Sequence, residues 1–140
     1  MRDYGQASYW DQRYAADEEG SFDWYQGWET LERFLQPFLS TDPDFEILIP
    51  GCGNSRLGAA LYDAGYLNIT NVDSSSVVIS QMTDRYADKE EMECARARAA
   101  RHAQQSAHPA RAQIAVTVMD ACKLEFLPDN CFDMIIDKGV

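Results

Sequence analysis

The chain has 140 residues, 46% hydrophobic and 25% charged, which is the size and composition of one globular domain with its own core. Its 23 acids against 12 bases leave a net charge of −11. That balance argues against sequence-independent nucleic-acid binding, where clustered bases must neutralise phosphates; a basic protein or a small molecule is the easier partner.

The N-terminus, Met1 to Gly20, is polar and acidic, unlike a secretory leader. No apolar run nears the ~20 residues that span a bilayer, so no membrane partner is expected and a cytoplasmic setting is. Aromatics then crowd between acids: Tyr9, Trp10, Tyr14, Phe22, Trp24 and Tyr25. This reads as an ordered arm with a short helix around Tyr9–Tyr14. Trp28, Leu31, Leu35 and Phe38 follow at helical spacing, and Thr41-Asp42-Pro43 ends that helix. Residues 1–44 form the arm and its helix, and the main domain runs from 45 to 140.

Phe45–Ile49 is a buried strand that enters the glycine turn Gly51-Cys52-Gly53. Ser55–Gly65 reads as a helix, capped by Asn54 or Ser55 and stopped by Gly65. Asn68–Asp73 is a second strand, and Ser74–Tyr86 a second helix buried through Val78, Met82 and Tyr86. Residues 88–113 are rich in alanine and hold Arg96, Arg98, Arg101 and Arg111; alanine's helix propensity makes this a helical insertion. Ile114–Met119 and Phe132–Ile136 are the third and fourth strands. Apolar strands alternating with helices give an α/β fold with a parallel sheet.

Cys52, Cys94, Cys122 and Cys131 form no CxxC pair, so no zinc site is expected. The cysteines are expected to be reduced, small and buried. His102 and His108 read as solvated helix residues.

Three acids end successive strands: Asp73, Asp120 and Asp137. The carboxyl ends of parallel strands share one edge, where ligands bind. Gly51 and Gly53 permit close backbone approach there. Asp73 lies 20 residues beyond Gly53, the distance at which an acid accepts hydrogen bonds from ribose hydroxyls. An adenosine cofactor follows. The run Gly51-Cys52-Gly53-Asn54-Ser55-Arg56-Leu57-Gly58 displaces the third glycine of a dinucleotide site by two positions. No phosphate-loop lysine motif exists. S-adenosylmethionine, which has no pyrophosphate, suits this loop better than NAD.

Tyr9-Trp10-Asp11-Gln12-Arg13-Tyr14, Phe22-Asp23-Trp24-Tyr25, Ile47 to Ser55, Val72-Asp73-Ser74-Ser75, Met119-Asp120 and Phe132 to Gly139 together resemble one pattern. It is that of the class I, seven-strand, Rossmann-like S-adenosylmethionine-dependent methyltransferases, in particular the elongation factor 1-alpha lysine methyltransferases and their methyltransferase-like relatives. The resemblance covers nearly the whole chain except residues 88–113. It implies a doubly wound, mainly parallel sheet and methyl transfer to a protein lysine, with a basic protein such as a translation elongation factor as substrate.

It also implies roles. Trp10, Tyr14 and Trp24 would pack around the cofactor, Gly51 would approach its methionine portion, and Asp73 would hold the ribose. Asp120 and Ala121 would contact the adenine, and Asp137 or Lys138 would lie near the transfer site. With Gly53 and Ser74 these complete the expected cofactor-binding set. No catalytic base is assigned.

Two departures from the family shape the remaining expectations. The 88–113 insertion replaces a short connection. The chain also stops after the fourth strand, where relatives read Lys-Gly-Thr-Leu-Asp and this chain reads Lys138-Gly139-Val140. It is therefore expected to be a truncated domain whose fourth strand is an exposed edge open to self-association. A non-catalytic fragment or interaction module that keeps the cofactor half is the alternative, and a nicotinamide-dependent oxidoreductase a third.

Overall fold

The computed structural model describes residues 4–16, 23, 25–86 and 113–139. Trp24 and the expected helical insertion, apart from Gln113, lie outside the described residues. The elements in chain order are α1 (Ala7–Ala16), α2 (Trp28–Leu35), a 3-10 turn (Gln36–Phe38), β1 (Glu46–Pro50), α3 (Leu57–Asp63), β2 (Asn68–Asp73), α4 (Ser76–Tyr86), β3 (Gln113–Val118) and β4 (Met134–Ile135).

The four strands form one sheet in the order β3-β2-β1-β4, and every pairing is parallel. This is the expected Rossmann-like α/β arrangement. Strand order reverses between β1 and β4, so the carboxyl edge beside that switch point is where a ligand is sought. The pairing runs on past the strand ends: Cys52 N donates to Val72 O at 3.0 Å, Met119 N to Asp73 O at 2.8 Å and Ile136 N to Leu48 O at 2.9 Å. These extra rungs hold the loops beyond β1, β3 and β4 against their neighbours.

Residues of opposite parity in a strand face opposite sides, and the core divides accordingly. Ile47, Ile49, Ile69 and Val116 join Leu57, Leu61, Val78, Ile79, Met82, Tyr86 and Tyr14 in one cluster, against which Trp28, Leu31 and Leu35 pack. All four helices contribute to it. Leu48, Val72 and Met119 form a smaller cluster, covered by Leu124, Leu127 and Phe132. The positions expected to be buried in α4, Val78, Met82 and Tyr86, all lie in the larger cluster, with Ile79 added.

Three sequence expectations are corrected. Phe38, expected on the α2 stripe, is 71% exposed. Pro37 sits in the 3-10 turn, whose tighter pitch rotates the next side chain off the α2 face. The fourth strand pairs over Met134–Ile135 only, with single backbone bonds from Asp133 N and Ile136 N extending it. Of the described cysteines, Cys52 is buried, Cys131 half-buried and Cys122 exposed; the last two follow β3 in loops rather than in the core.

Gly65 ends α3 as its sequence position suggests. Its φ is +99°, Gly65 N donates to Tyr62 O at 3.0 Å and Tyr66 N to Leu61 O at 3.1 Å. This pair of bonds is a Schellman cap. A Cβ on Gly65 would meet nothing within 4 Å, so substitution there is penalised by backbone conformation alone. Gly65→Ala is expected to lose about 1–2 kcal/mol in urea unfolding, and Gly65→Asn less, because asparagine tolerates the left-handed region.

Candidate functional site

A cavity of about 850 Å³ opens at the carboxyl edge of the sheet. Its floor is the turn after β1. Gly51 and Gly53 adopt φ of +55° and +51°, a region that L side chains disfavour. Gly53 N donates to Asp73 Oδ2 at 2.9 Å, and Ser75 N to Asp73 Oδ1 at 2.9 Å. One carboxylate thus ties the β1 turn to the start of α4. Tyr14 closes the turn from the other side: a Cβ on Gly53 would lie 2.7 Å from its hydroxyl oxygen. Arg85 donates to Asn54 O at 2.7 Å, and Ser55 Oγ accepts Leu57 N at 3.0 Å.

The N-terminal arm forms the wall. Asp11 Oδ1 accepts the Ser75 hydroxyl at 2.6 Å and Val77 N at 3.2 Å, which docks α1 on the first turn of α4. Gln81 Nε2 donates to Tyr14 O at 3.0 Å. Trp10 stacks on Tyr14 with ring centroids 6.0 Å apart, and its Nε1 donates to Tyr4 O. Val118, Met119, Asp120, Ala121 and Cys122 line the β3 side.

Of the residues singled out from sequence, Trp10, Tyr14, Gly51, Gly53, Asp73, Ser74, Asp120, Ala121 and Lys138 line this one cavity. Asp137 is exposed and does not belong to the lining; its carboxylate accepts Gly139 N at 2.8 Å. Lys138 reaches the lining while its ammonium donates to Asp23, Ser55 Oγ and Gln26 O. Sequence reasoning missed Tyr4, Arg13, Asp23, Tyr25, Asn54 and Ser55 as lining residues. Asp23 and Tyr25 sit in a motif already singled out, so the signal was there. Arg85 carried none, because its acceptor is a backbone carbonyl in a distant loop.

Two carboxylates are perturbed in opposite directions. Burial raises Asp73 above the ordinary aspartate range, against the opposing pull of the Ser75, Gly53 and Ser74 N–H groups. The Ser75 hydroxyl, then Val77 N–H, lowers Asp11. Burial, then Asp73, pushes the Cys52 thiol far up, so Cys52 is an inert protonated core residue. Among the described residues no group of three or more metal-ligating side chains occurs.

The signs of these shifts separate the two acids. A raised folded-state pKa gives a stability contribution that is full below the ordinary aspartate value and lost as pH rises through the folded value. A lowered one gives a contribution present above the ordinary value and lost as pH falls. The unfolding free energy of wild type minus Asp73→Asn is expected to fall with rising pH across the acid range. The same difference for Asp11→Asn is expected to rise. Urea titrations at a series of pH values read both slopes.

No family model matches this sequence. Curated relatives do. The chain is 33% identical over 138 residues to the eEF1A lysine and N-terminal methyltransferase of Xenopus laevis, covering 99% of this chain and 16% of that protein. It is 33% identical over 137 residues to the EEF1A lysine methyltransferase 4 of Mus musculus, covering 97% of this chain and 44% of that protein. A Drosophila melanogaster eEF1A lysine and N-terminal methyltransferase homolog is 30% identical over 137 residues. The chain thus spans between about a sixth and under half of the length of these relatives. Over nearly its whole length the chain is similar to the eEF1A lysine methyltransferases, and its parallel sheet with a carboxyl-edge cavity is a Rossmann-like α/β arrangement.

Proposed function

We propose that the cavity binds S-adenosylmethionine, and that the chain serves methyl transfer to a lysine of a basic protein, with elongation factor 1-alpha as the candidate substrate. The observation that carries this reading is Asp73. Asp73 is 7% exposed, lines the cavity, and its two oxygens accept the N–H groups of Gly53 and Ser75, with Ser74 N–H adding a third, weaker pull. An ionised carboxylate offers about four acceptor sites, so capacity remains for a ribose hydroxyl.

The rest of the lining fits the same group. Gly51 presents bare backbone at positive φ, which lets a ligand approach closely. Val118, Met119 and Ala121 offer an apolar slot for an adenine, with Asp120 at its edge. The charged lining is Asp23, Asp73 and Asp120 against Arg13 and Lys138, and Lys138 is paired with Asp23. An excess of acid favours a sulfonium cation.

When bound, that cofactor supplies a methyl group already activated by the positive sulfur, so alignment contributes most of the rate. The residues of this chain then have three tasks. Asp73 and the glycine turn hold the ribose end. Trp10 and Tyr14 wall the site with aromatic surface that excludes water. The acidic lining favours an incoming basic side chain.

Calorimetry is expected to give binding of S-adenosylhomocysteine and none of NAD; the reverse order would overturn the reading. Asp73→Ala is expected to weaken binding by about 1.5–3 kcal/mol, provided circular dichroism shows the variant folded. Trp10→Phe is expected to reduce the tryptophan fluorescence response to ligand. Incubation with tritiated S-adenosylmethionine and purified elongation factor 1-alpha is expected to place label on lysine. Binding without label would favour a non-catalytic module over a transferase.

A further inference from the structure

Asp11 and Ser75 do not line the cavity, yet they stand directly behind the carboxylate that does. Asp11 Oδ1 accepts the Ser75 hydroxyl at 2.6 Å, and Ser75 N donates to Asp73 Oδ1 at 2.9 Å. Asp73 Oδ2 accepts Gly53 N at 2.9 Å. The four residues make one hydrogen-bonded row from α1, past the start of α4, to the glycine turn on the cavity floor. Asp11 also accepts Val77 N at 3.2 Å, so it anchors the backbone on both sides of Ser76. The Ser75 N–H that aims Asp73 is part of that anchored stretch. Ser75 is wholly buried, and its hydroxyl would find no water in place of Asp11.

Electrostatics run along the same row. The Ser75 hydroxyl, then Val77 N–H, holds Asp11 below the ordinary aspartate range, whereas burial raises Asp73 and the Asp11 charge adds to that rise. Asp11 is therefore ionised throughout the Asp73 titration. A ribose hydroxyl donates to the ionised carboxylate, so affinity is full above the folded Asp73 value and is lost as pH falls through it. Removing the Asp11 charge lets Asp73 ionise at lower pH. The other titratable groups on the cavity include Arg13 and Tyr14 of α1, Cys52 of the β1 turn, Asp120 beyond β3, and Lys138 paired with Asp23. The Cys52 thiol stays protonated, and Arg85 of α4 is held on Asn54 O.

We propose that Asp11 is a positioning residue for the adenosine end of the ligand: through Ser75 it fixes the Asp73 carboxylate, and so ties docking of α1 to ligand affinity. This rests on the reading that Asp73 takes the ribose of the methyl donor. Asp11 acts through the row, with no contact of its own to the ligand.

The test is calorimetry of S-adenosylhomocysteine binding to the full 140-residue chain from neutral pH down through the acid range. The variants are Asp11→Ala, Asp11→Asn, Ser75→Ala, Asp73→Ala and Asp11→Ala/Asp73→Ala. At neutral pH, Asp11→Ala and Ser75→Ala should each weaken binding about fivefold, the worth of one net hydrogen bond. Asp11→Asn keeps an acceptor for the Ser75 hydroxyl, so it should stay near wild type there while holding its affinity to lower pH. In the Asp73→Ala background, Asp11→Ala should cost nothing more. Losses that multiply in that double variant would mean that α1 serves only as a wall, and would overturn the proposal. So would unchanged affinity in Asp11→Ala, or an Asp11→Asn profile that coincides with wild type. Should Asp11→Ala not fold, Ser75→Ala and the Asp11→Asn profile decide it by the same criteria.

If wild type binds no S-adenosylhomocysteine, the donor reading fails and the row is decided without ligand. The carboxyl carbon NMR resonance of Asp73 should then titrate at lower pH in Asp11→Asn than in wild type. Equal midpoints would overturn the link.

Discussion

The site depends on one buried carboxylate. Placing Asp73 at 7% exposure is costly, because a charge taken from water must be compensated locally. Compensation comes from two backbone N–H groups, Gly53 and Ser75. Those donors belong to different loops, after β1 and after β2. The same interaction that makes the burial tolerable therefore fixes how the two loops sit. A turn with two residues at positive φ has few contacts of its own to define it. Asp73 from β2, Tyr14 from α1 and Arg85 from α4 hold it from three directions.

The aromatic arm is joined to that node through one residue. Ser75 gives its N–H to Asp73, its hydroxyl hydrogen to Asp11, and its oxygen to Val78 N at 3.3 Å. Asp11 also accepts Val77 N, so a carboxylate from α1 satisfies a donor in the first turn of α4. Helix starts leave such donors open, and an acid there is favoured by the aligned peptide dipoles. The arm is in this way part of the domain's polar framework. Displacing α1 would leave Ser75 and α4 short of a partner as well as removing the wall formed by Trp10 and Tyr14.

Much of this was legible in the sequence. Apolar runs gave the four strands to within one or two residues, and the glycine turn with its downstream aspartate located the cavity. These features are local: each is written in consecutive residues or in a short spacing. What escaped reading is set by tertiary partners. Phe38 left its stripe because Pro37 changed the helix pitch. The ammonium of Lys138 pairs with Asp23, 115 residues away, a partner that no local pattern announces. Asp11 looked like one acid among many in an acidic arm; only its placement against the start of α4 distinguishes it.

Register is the remaining constraint. In a strand with one wet face, a slip of one residue would expose the apolar set, so polarity alone fixes pairing. β2 has no such guide, since all six of its residues are buried. It carries two asparagines instead. Asn68 Nδ2 donates to the carbonyls of Pro43 and Phe45 before β1, and Asn71 Nδ2 donates to Ala115 O in β3. A slip would leave buried amides unpaired, at about 1–3 kcal/mol for each unsatisfied group. The close packing of Gly58 on Asn71, where a Cβ would lie 2.9 Å from Oδ1, adds α3 to the same lock. Hydrogen-bonding side chains inside an otherwise apolar strand thus set the register, and the register sets where Asp73 emerges. The polar residues that look least at home in the core are what deliver the carboxylate to the cavity.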